Sequence, residues 1–173
     1  TLTVAGEQEV FDQVVVACHS DQALKMLADA SPDEKEVLGS IAYQANDCVL
    51  HTDTRVLPKQ KRAWTAWNYR IPKDKSGLLQ LTYNMNILQS IPCPETLCLT
   101  LNNTDAIDPS KILQRFDYSH PQFSTQGAKA QQRWADINGQ KNTWFCGAYW
   151  GKGFHEDGMV SALRVTQGLG INW

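Results

Sequence analysis

The sequence predicts an α+β fold with a mixed, largely antiparallel sheet flanked by helices. Strand-like segments cluster in the middle of the chain, short polar turns separate several of them, and helical patterns stand on either side. Short connections favour antiparallel neighbours, because a parallel crossover needs about a dozen or more residues. With 173 residues, of which 42% are hydrophobic, the chain has a globular composition, and we expect residues 1–173 to form a single domain.

The N-terminal part is predicted to contain two strands and two helices. Residues 1–18 have the pattern of two strands around a polar turn at Gly6–Glu9, and the second strand is rich in β-branched residues. Ser20 is placed to cap a first helix, whose apolar residues recur on one face. The segment SPDEKEVLGS predicts a second helix, with Ser31 as its N-cap and Glu34 as the acid of a capping box.

The middle of the chain is predicted to supply most of the sheet. Four strand-like segments follow Ile41: YQANDCVLHTD, KRAWTAWNYR, GLLQLTYNMN and TLCLTLN. Turns at Pro58–Lys61 and Pro72–Gly77 separate the first three of them. A further strand is expected over Ile112–His120, and a helix is expected over Thr125–Ile137.

The segment TWFCGAYWGKGFHEDGMVSALRV has the pattern of a strand over Trp144–Cys146, a glycine-rich loop and a last helix. A helix N-terminus carries unpaired N–H groups and the positive end of the helix dipole, and it therefore attracts anionic groups. Aromatic rings beside the loop could stack on a planar ligand. The alternative is a packed strand–turn–helix, in which the glycines serve close packing and Glu156 and Asp157 interact with the helix dipole.

Several other side chains have both a functional and a structural interpretation. Three aromatic rings of the central strands could line a substrate pocket or fill the core: Trp67, Tyr69 and Tyr83. His51 and Asp53 share one strand face, where they could shuttle protons or form a structural pair. His155 stands at the start of the last helix, where it could act as an acid or base or could cap the helix.

Charge and composition argue against several classes of protein. The net charge of −2 and the pI near 6.0 indicate no nucleic-acid or anionic-membrane partner. No apolar run approaches the ~20 residues of a membrane-spanning helix. The five cysteines sit mostly in apolar runs without metal-ligand spacing, which predicts reduced thiols, a cytoplasmic location and no metal site. No G-x-S-x-G motif for a serine hydrolase is present.

Two segments carry a resemblance to a known family. FCGAYWGKGFHEDGMVSALRV resembles the C-terminal flavin-binding segment of the flavin-containing amine oxidoreductase family, and FDQVVVACHSDQALKMLAD resembles the family's strand-then-helix element. Further stretches are similar to a bacterial branch of predicted NAD/FAD-binding oxidoreductases, among them RAWTAWNY and LTYNMNILQ. The resemblance extends over nearly the whole chain, and it implies a fold like the substrate domain of amine-oxidase-like flavoproteins.

The resemblance implies specific contacts to FAD. The expected cofactor-binding residues are Gly147, Ala148, Tyr149, Phe154, His155, Glu156, Asp157, Gly158 and Met159. The first three would lie along the ribityl and diphosphate region, Phe154 near the flavin face, and the helix start would face flavin N1 and O2. His155 is the candidate catalytic residue. The expected substrate pocket comprises Trp67, Tyr69, Tyr83 and Trp150.

The family's N-terminal glycine fingerprint does not occur in this sequence. We therefore expect the chain to be the C-terminal portion of a longer FAD-dependent oxidoreductase, with residues 1–18 and 143–170 packing against a missing N-terminal FAD-binding half. The parent would oxidise a small-molecule substrate by hydride transfer to the flavin, whereas the isolated chain would be inactive and without FAD. The alternative is a non-catalytic α+β binding or interaction domain without a cofactor.

Overall fold

The computed structural model describes residues 1–71 and 78–171, so the predicted turn at Pro72–Gly77 lies outside the described residues. The chain divides into two compact units. The terminal unit comprises Thr1–Gln44 and Pro121–Trp173, and the central unit comprises Ala45–His120. The expected single-domain organisation stays a prediction.

The described residues form strands and helices joined by short 3-10 turns. The strands are β1 (Leu2–Val4), β2 (Glu7–Glu9), β3 (Val14–Val16), β4 (Tyr43–His51), β5 (Trp67–Arg70), β6 (Gln80–Asn84), β7 (Cys98–Leu101), β8 (Ile112–Pro121) and β9 (Thr143–Phe145). The helices are α1 (Ser20–Met26), α2 (Pro32–Gly39), α3 (Met85–Leu88), α4 (Thr125–Gln132), α5 (Trp134–Ile137) and α6 (His155–Gly168).

The largest sheet has five strands in the order β5-β6-β7-β4-β8. The pairs β5–β6, β6–β7 and β4–β7 are antiparallel. β1 and β2 form an antiparallel hairpin, whereas β3 and β9 pair in parallel. The predicted α+β class with a mixed, largely antiparallel sheet flanked by helices is therefore confirmed.

The polar turn predicted at Gly6–Glu9 is wrong, because Glu7–Glu9 forms β2. The chain reverses one step earlier, at Ala5 and Gly6, whose φ angles are +51° and +88°. Two consecutive residues with positive φ are typical of a two-residue hairpin turn. This tighter turn leaves Glu7–Glu9 free to pair with Leu2–Val4.

The single helix predicted over Thr125–Ile137 is two helices, α4 and α5, which are separated at Arg133. The guanidinium of Arg133 lies 2.7 Å from a carboxylate oxygen of each of Asp33, Glu36 and Asp136. Its backbone departs from helical geometry, with φ −93° and ψ 22°. The break in the helix thus places one cation against acids of α2 and α5.

The core of the terminal unit lies between its helices and β9. Its fully or nearly fully buried apolar members are Ala23, Val37, Leu38, Ile41, Ala130, Ile137, Phe145, Tyr149 and Trp150. A smaller cluster beside it contains Trp144, Cys146 and Val165. Burial of these side chains fixes α6 and β9, which carry the segment with the family resemblance.

Candidate functional site

The parallel pair β3–β9 brings together two segments that are far apart in sequence. Val14 lies opposite Thr143, and Val16 lies opposite Phe145. Because the strands are parallel, their carboxyl ends meet at one edge, and a helix begins after each of them, α1 and α6. In sheets of parallel strands, ligands commonly bind at this edge. We call residues 18–21 and 147–159 the strand-end site.

The two halves of the strand-end site lie close together. The carbonyl oxygen of Cys18 would be 3.5 Å from a Cβ atom built on Gly147. The N–H of Gly147 donates to Oγ of Ser161 at 2.8 Å, and this hydroxyl donates to the carbonyl of Gly158 at 2.9 Å. These bonds hold the glycine-rich loop onto the first turns of α6.

Asp157 is engaged with the loop that precedes α6. Its Oδ2 accepts the N–H groups of Lys152, at 3.1 Å, and Phe154, at 2.9 Å. A Cβ atom on Gly151 would lie 2.2 Å from Oδ1 of Asp157, so a side chain at position 151 would displace this carboxylate. The loop's own packing therefore accounts for Gly151 and Asp157, in agreement with the structural interpretation of those two residues.

The start of α6 is open to the surface. Phe154 and Met159 are 61% and 60% exposed, and His155 and Glu156 are also exposed. Several large apolar side chains of the terminal unit are exposed besides these two, including Val15 and Val160.

Tyr149 and Trp150 are buried instead, with 4% and 8% of their surface exposed. The indole N–H of Trp150 donates to the carbonyl of Phe145 at 3.0 Å. Tyr149 also lines a cavity of about 320 Å³ in the terminal unit, together with residues that include Phe123, Gln131 and Gly151. Gln131 closes one side of this cavity by donating to the carbonyls of Tyr149 and Gly151.

The strand-end site contains buried polar atoms without hydrogen-bond partners in the described part of the chain. They are Oγ of Ser20, Oδ1 of Asp21 and the hydroxyl of Tyr149. Burial raises the pKa of Tyr149, so its hydroxyl is protonated and able to donate. A buried polar group without a partner costs about 1–3 kcal/mol, and such groups are rare in folded proteins. These three atoms can accept or donate bonds to a further group.

The three aromatic residues predicted from the central strands lie on one face of the five-stranded sheet. Trp67 is paired with Tyr83 across β5 and β6, with ring centroids 5.1 Å apart. Trp67 and Tyr69 are 6.3 Å apart, and they are 45% and 55% exposed. We call this surface the aromatic face. Trp150, the fourth predicted pocket residue, belongs to the terminal unit.

A pocket of about 250 Å³ opens on the aromatic face. It is lined by Cys48, Tyr83, Met85, Leu88, Leu99, Leu101, Tyr118 and His120. Burial raises the pKa of the Cys48 thiol to about 11, so this thiol is uncharged at neutral pH. The pocket lining includes no acidic side chain, lysine or arginine.

Sequence reasoning found Tyr83 but missed the rest of this pocket. Tyr118 and His120 are separated by one residue in β8, so their side chains project from the same side of the strand. This spacing within a predicted strand is the sequence signal that places the two side chains on one face. The sequence did not indicate that β8 lies at the edge of the sheet beside β4, and this position brings His120 to the pocket.

The opposite face of the sheet carries a buried polar ladder. His51 Nε2 lies 2.7 Å from Oγ1 of Thr100, which lies 2.8 Å from Oγ1 of Thr82. The other ring nitrogen of His51 accepts the backbone N–H of Asp53 at 3.1 Å. Burial lowers the pKa of His51, which is fully buried and therefore neutral near pH 7. All polar atoms of the ring are satisfied within the sheet.

The carboxylate of Asp53 does not bind the ring of His51 but the side chain of Arg55. Nε of Arg55 donates to it at 2.9 Å, and the N–H of Asp108 donates to it at 2.8 Å. Hydrogen bonds from Arg55 hold the pKa of Asp53 well below its usual range. This geometry favours the structural interpretation of the His51 and Asp53 pair over proton shuttling.

Within residues 1–71 and 78–171, no group of three or more His, Cys, Asp or Glu side chains is arranged to hold a metal ion. The same part of the chain has no helix whose length and apolar character would let it cross a membrane.

No protein-family model and no curated protein match this chain. A similar solved structure is named "Putative protoporphyrinogen oxidase from Exiguobacterium sp. 255-15", with 11% sequence identity and a TM-score of 0.48. The superposed region covers 91% of this chain and 41% of that one. This chain therefore spans about two fifths of the length of that protein, and a likeness at this level identifies neither a family nor an activity.

Proposed function

We propose that this chain is the substrate-side and C-terminal flavin-contacting part of an FAD-dependent, amine-oxidase-like oxidoreductase. The observation that carries the proposal is the strand-end site, where the carboxyl ends of two parallel strands meet beside three unpartnered buried polar atoms. The hydroxyl and N–H groups of a flavin nucleotide are partners of the kind these atoms require. The sequence resemblance of the same segment supports FAD over other ligands.

Within this proposal, the loop after β9 would hold the ribityl and diphosphate region through Gly147, Ala148 and Tyr149. Phe154 would contact the flavin ring, and residues 155–159 would contact its pyrimidine edge. FAD supplies the acceptor for a hydride when it is bound. The N-terminus of α6 stabilises negative charge at that edge by about 0.3–2 kcal/mol.

The ionisable side chains at the start of α6 have different surroundings, which distinguish their roles in the proposal. The carboxylate of Asp157 accepts hydrogen bonds from the backbone N–H groups of Lys152 and Phe154, so it stabilises the loop that precedes α6. Glu156 and His155 are exposed at the same tip. His155 is the candidate catalytic residue, because an imidazole there can donate a hydrogen bond to the pyrimidine edge. A Cβ atom built on Gly158 would lie 3.8 Å and 3.9 Å from atoms of Ala148, so a side chain at this position would face the loop without a clash.

The substrate surface in this proposal is the aromatic face of the central unit, with Trp67, Tyr69 and Tyr83. Trp150 stays in the proposed pocket as a prediction from the sequence. The partner is an N-terminal FAD-binding half, against which residues 1–18 and 143–170 would pack. The cysteines are free thiols, which agrees with a reducing, cytoplasmic location as part of the proposal.

A non-catalytic binding domain is the second candidate. It is favoured by the loop geometry, because Oδ2 of Asp157 accepts the N–H groups of Lys152 and Phe154, and the absence of a side chain at Gly151 leaves room for this carboxylate. The burial of Trp150 in the core of the terminal unit also fits a purely structural use of this segment.

Replacing Tyr149 by phenylalanine distinguishes the two candidates. The change removes a buried hydroxyl that has no partner in the described chain, so the free energy of unfolding of this chain should rise by about 1 kcal/mol. In the complete gene product, the same change should weaken FAD binding about fivefold, because one hydrogen bond to the cofactor is lost. Denaturant unfolding measures the first effect, and titration of the apoprotein with FAD measures the second.

The matched control is Tyr69→Phe, which alters an exposed hydroxyl of the central unit and should leave both quantities unchanged. If Tyr149→Phe stabilises this chain and neither the variant nor the unaltered gene product binds FAD, the binding-domain candidate is favoured. Equal FAD affinity of the variant and the unaltered gene product would contradict the role of Tyr149 in FAD binding.

A further inference from the structure

The pocket on the aromatic face contains one polar side chain whose hydrogen-bonding direction is fixed by its neighbours, that of His120. The imidazole of His120 lines the pocket, and its Nδ1 lies 3.0 Å from Nδ2 of Asn46. The ring contributes either a donor or an acceptor to the pocket. Which of the two it contributes depends on the orientation of the Asn46 amide.

Backbone groups determine that orientation through Asn102. The N–H of Asp47 donates to Oδ1 of Asn102 at 3.2 Å, which places the amide nitrogen of Asn102 on the other side. This nitrogen donates to the carbonyl of Leu79 at 3.0 Å and to Oδ1 of Asn46 at 2.7 Å. Oδ1 of Asn46 is therefore the acceptor, and Nδ2 of Asn46 is the atom that faces His120.

The backbone of Asn102 is adapted to this arrangement. Its φ angle is +57°, in the left-handed region that asparagine tolerates better than most residues. Its backbone N–H also donates to the carbonyl of Asp47 at 2.9 Å, so side chain and backbone both bind the same residue of β4. The amide groups of Asn46 and Asn102 thus join two parts of the chain that are 56 residues apart in sequence.

The tautomer of His120 follows from these contacts. Nδ2 of Asn46 can only donate, so Nδ1 of His120 accepts, and in the neutral ring the proton is on Nε2. His120 therefore offers the pocket an N–H donor. The other lining groups are apolar or weakly polar, and none of them is an acidic side chain, a lysine or an arginine.

We propose that this pocket binds an uncharged, largely apolar ligand with one hydrogen-bond acceptor, which receives the Nε2–H of His120. That the ligand is the substrate of the oxidoreductase rests on the function proposed above. His120 acts as a specificity-determining residue, and Asn46 acts as a positioning residue that keeps Nδ1 occupied. A ligand with a positive charge is disfavoured, because the pocket has no acid to pair with it.

The proposal can be tested with three probes of nearly the same shape: 2-acetylnaphthalene, 2-isopropenylnaphthalene and 2-naphthylmethylamine. The first carries an acceptor oxygen, the second has a carbon in its place, and the third is a cation at neutral pH. Isothermal titration calorimetry on the chain should show that the ketone binds about three- to tenfold more tightly than the hydrocarbon. The amine should bind most weakly.

The variants distinguish the contribution of the His120 hydrogen bond to probe affinity from the contribution of the pocket's shape. In His120→Phe, the preference for the ketone over the hydrocarbon should fall to about one while the hydrocarbon keeps its affinity. Asn46→Ala should reduce the same ratio, because Nδ1 is then free to take the proton. Leu88→Trp, at a 40% exposed lining residue, should weaken both neutral probes. Ser119→Ala, on the other side of β8, is the control and should change nothing.

Equal binding of ketone and hydrocarbon, tightest binding of the amine, or no binding of any probe would overturn the proposal. An unchanged ratio in His120→Phe would overturn it as well. Flavin takes no part in these titrations, so their failure leaves the FAD titrations with Tyr149→Phe as the separate test of the proposed function.

Discussion

Replacing Trp150 with alanine should lower the free energy of unfolding of the terminal unit by about 3 to 5 kcal/mol, which is the usual cost of truncating a buried tryptophan. The side chain is 8% exposed, and its indole packs against the ring of Tyr149 with centroids 5.2 Å apart. The indole N–H also donates to the carbonyl of Phe145. Truncation would leave both a cavity and a carbonyl without its partner.

The matched variant is Trp67→Ala in the central unit. Trp67 is 45% exposed and its ring meets that of Tyr83 in a T-shaped arrangement, so its truncation should cost only about 1 kcal/mol. Chemical denaturation followed by circular dichroism measures both changes. Equal losses for the two variants would contradict the assignment of Trp150 to the core and Trp67 to an open surface.

Replacing Asp53 with alanine should destabilise the central unit by about 3 kcal/mol. Asp53 is fully buried, and its carboxylate accepts N–H groups from the backbones of Arg55 and Asp108 as well as the guanidinium of Arg55. Truncation removes the buried acceptor of these bonds, and hydrogen bonds to a charged group contribute about 1.5–3 kcal/mol. The turns at residues 54–56 and 109–111 lose the group that holds them together.

The contribution of the Asp53 carboxylate to the free energy of unfolding should decrease as the pH falls. Because its pKa is held below the ordinary carboxyl value of about 4, its contribution is fully present above that value and is lost as the pH falls further. The difference in stability between the unaltered chain and Asp53→Ala should therefore be constant from neutral pH to about pH 5 and should shrink below pH 4.

Asp108→Ala is the control for this experiment. The Asp108 side chain is 38% exposed and caps the turn at Ser110, and its nearest contact to Arg55 is 3.8 Å. Its removal should cost much less than the removal of Asp53. Denaturant midpoints at several pH values measure both, and a pH-independent effect of Asp53→Ala would contradict the role given to its carboxylate.

Elements with strong local signals could be predicted from the sequence. The helix α2 begins where SPDEKEVLGS predicts it, because Ser31 and Glu34 make the two reciprocal bonds of a capping box at 3.2 Å and 2.7 Å. The first hairpin could not be placed correctly. Its turn requires Ala5 at positive φ, a conformation that alanine rarely adopts and that a sequence pattern does not indicate.

The candidate sites also differ in how far local sequence signals indicate them. Most residues of the strand-end site lie in one continuous segment, whose strand, loop and helix could be predicted as a unit. The parallel pairing of β9 with β3, which adds residues 18–21 to the site, could not be predicted in this way. The donor at His120 depends on Asn46 and Asn102, which are brought together only by the order of strands in the sheet. Contacts of this kind follow from tertiary structure, and a single sequence gives no local signal for them.

The visible absorption spectrum of the complete gene product, recorded before and after incubation with FAD, shows whether the protein forms an FAD site. We expect flavin bands at near-stoichiometric FAD, whereas this chain alone should purify without colour. A complete gene product that stays colourless after incubation with FAD would rule out the proposed flavin-contacting role of this chain.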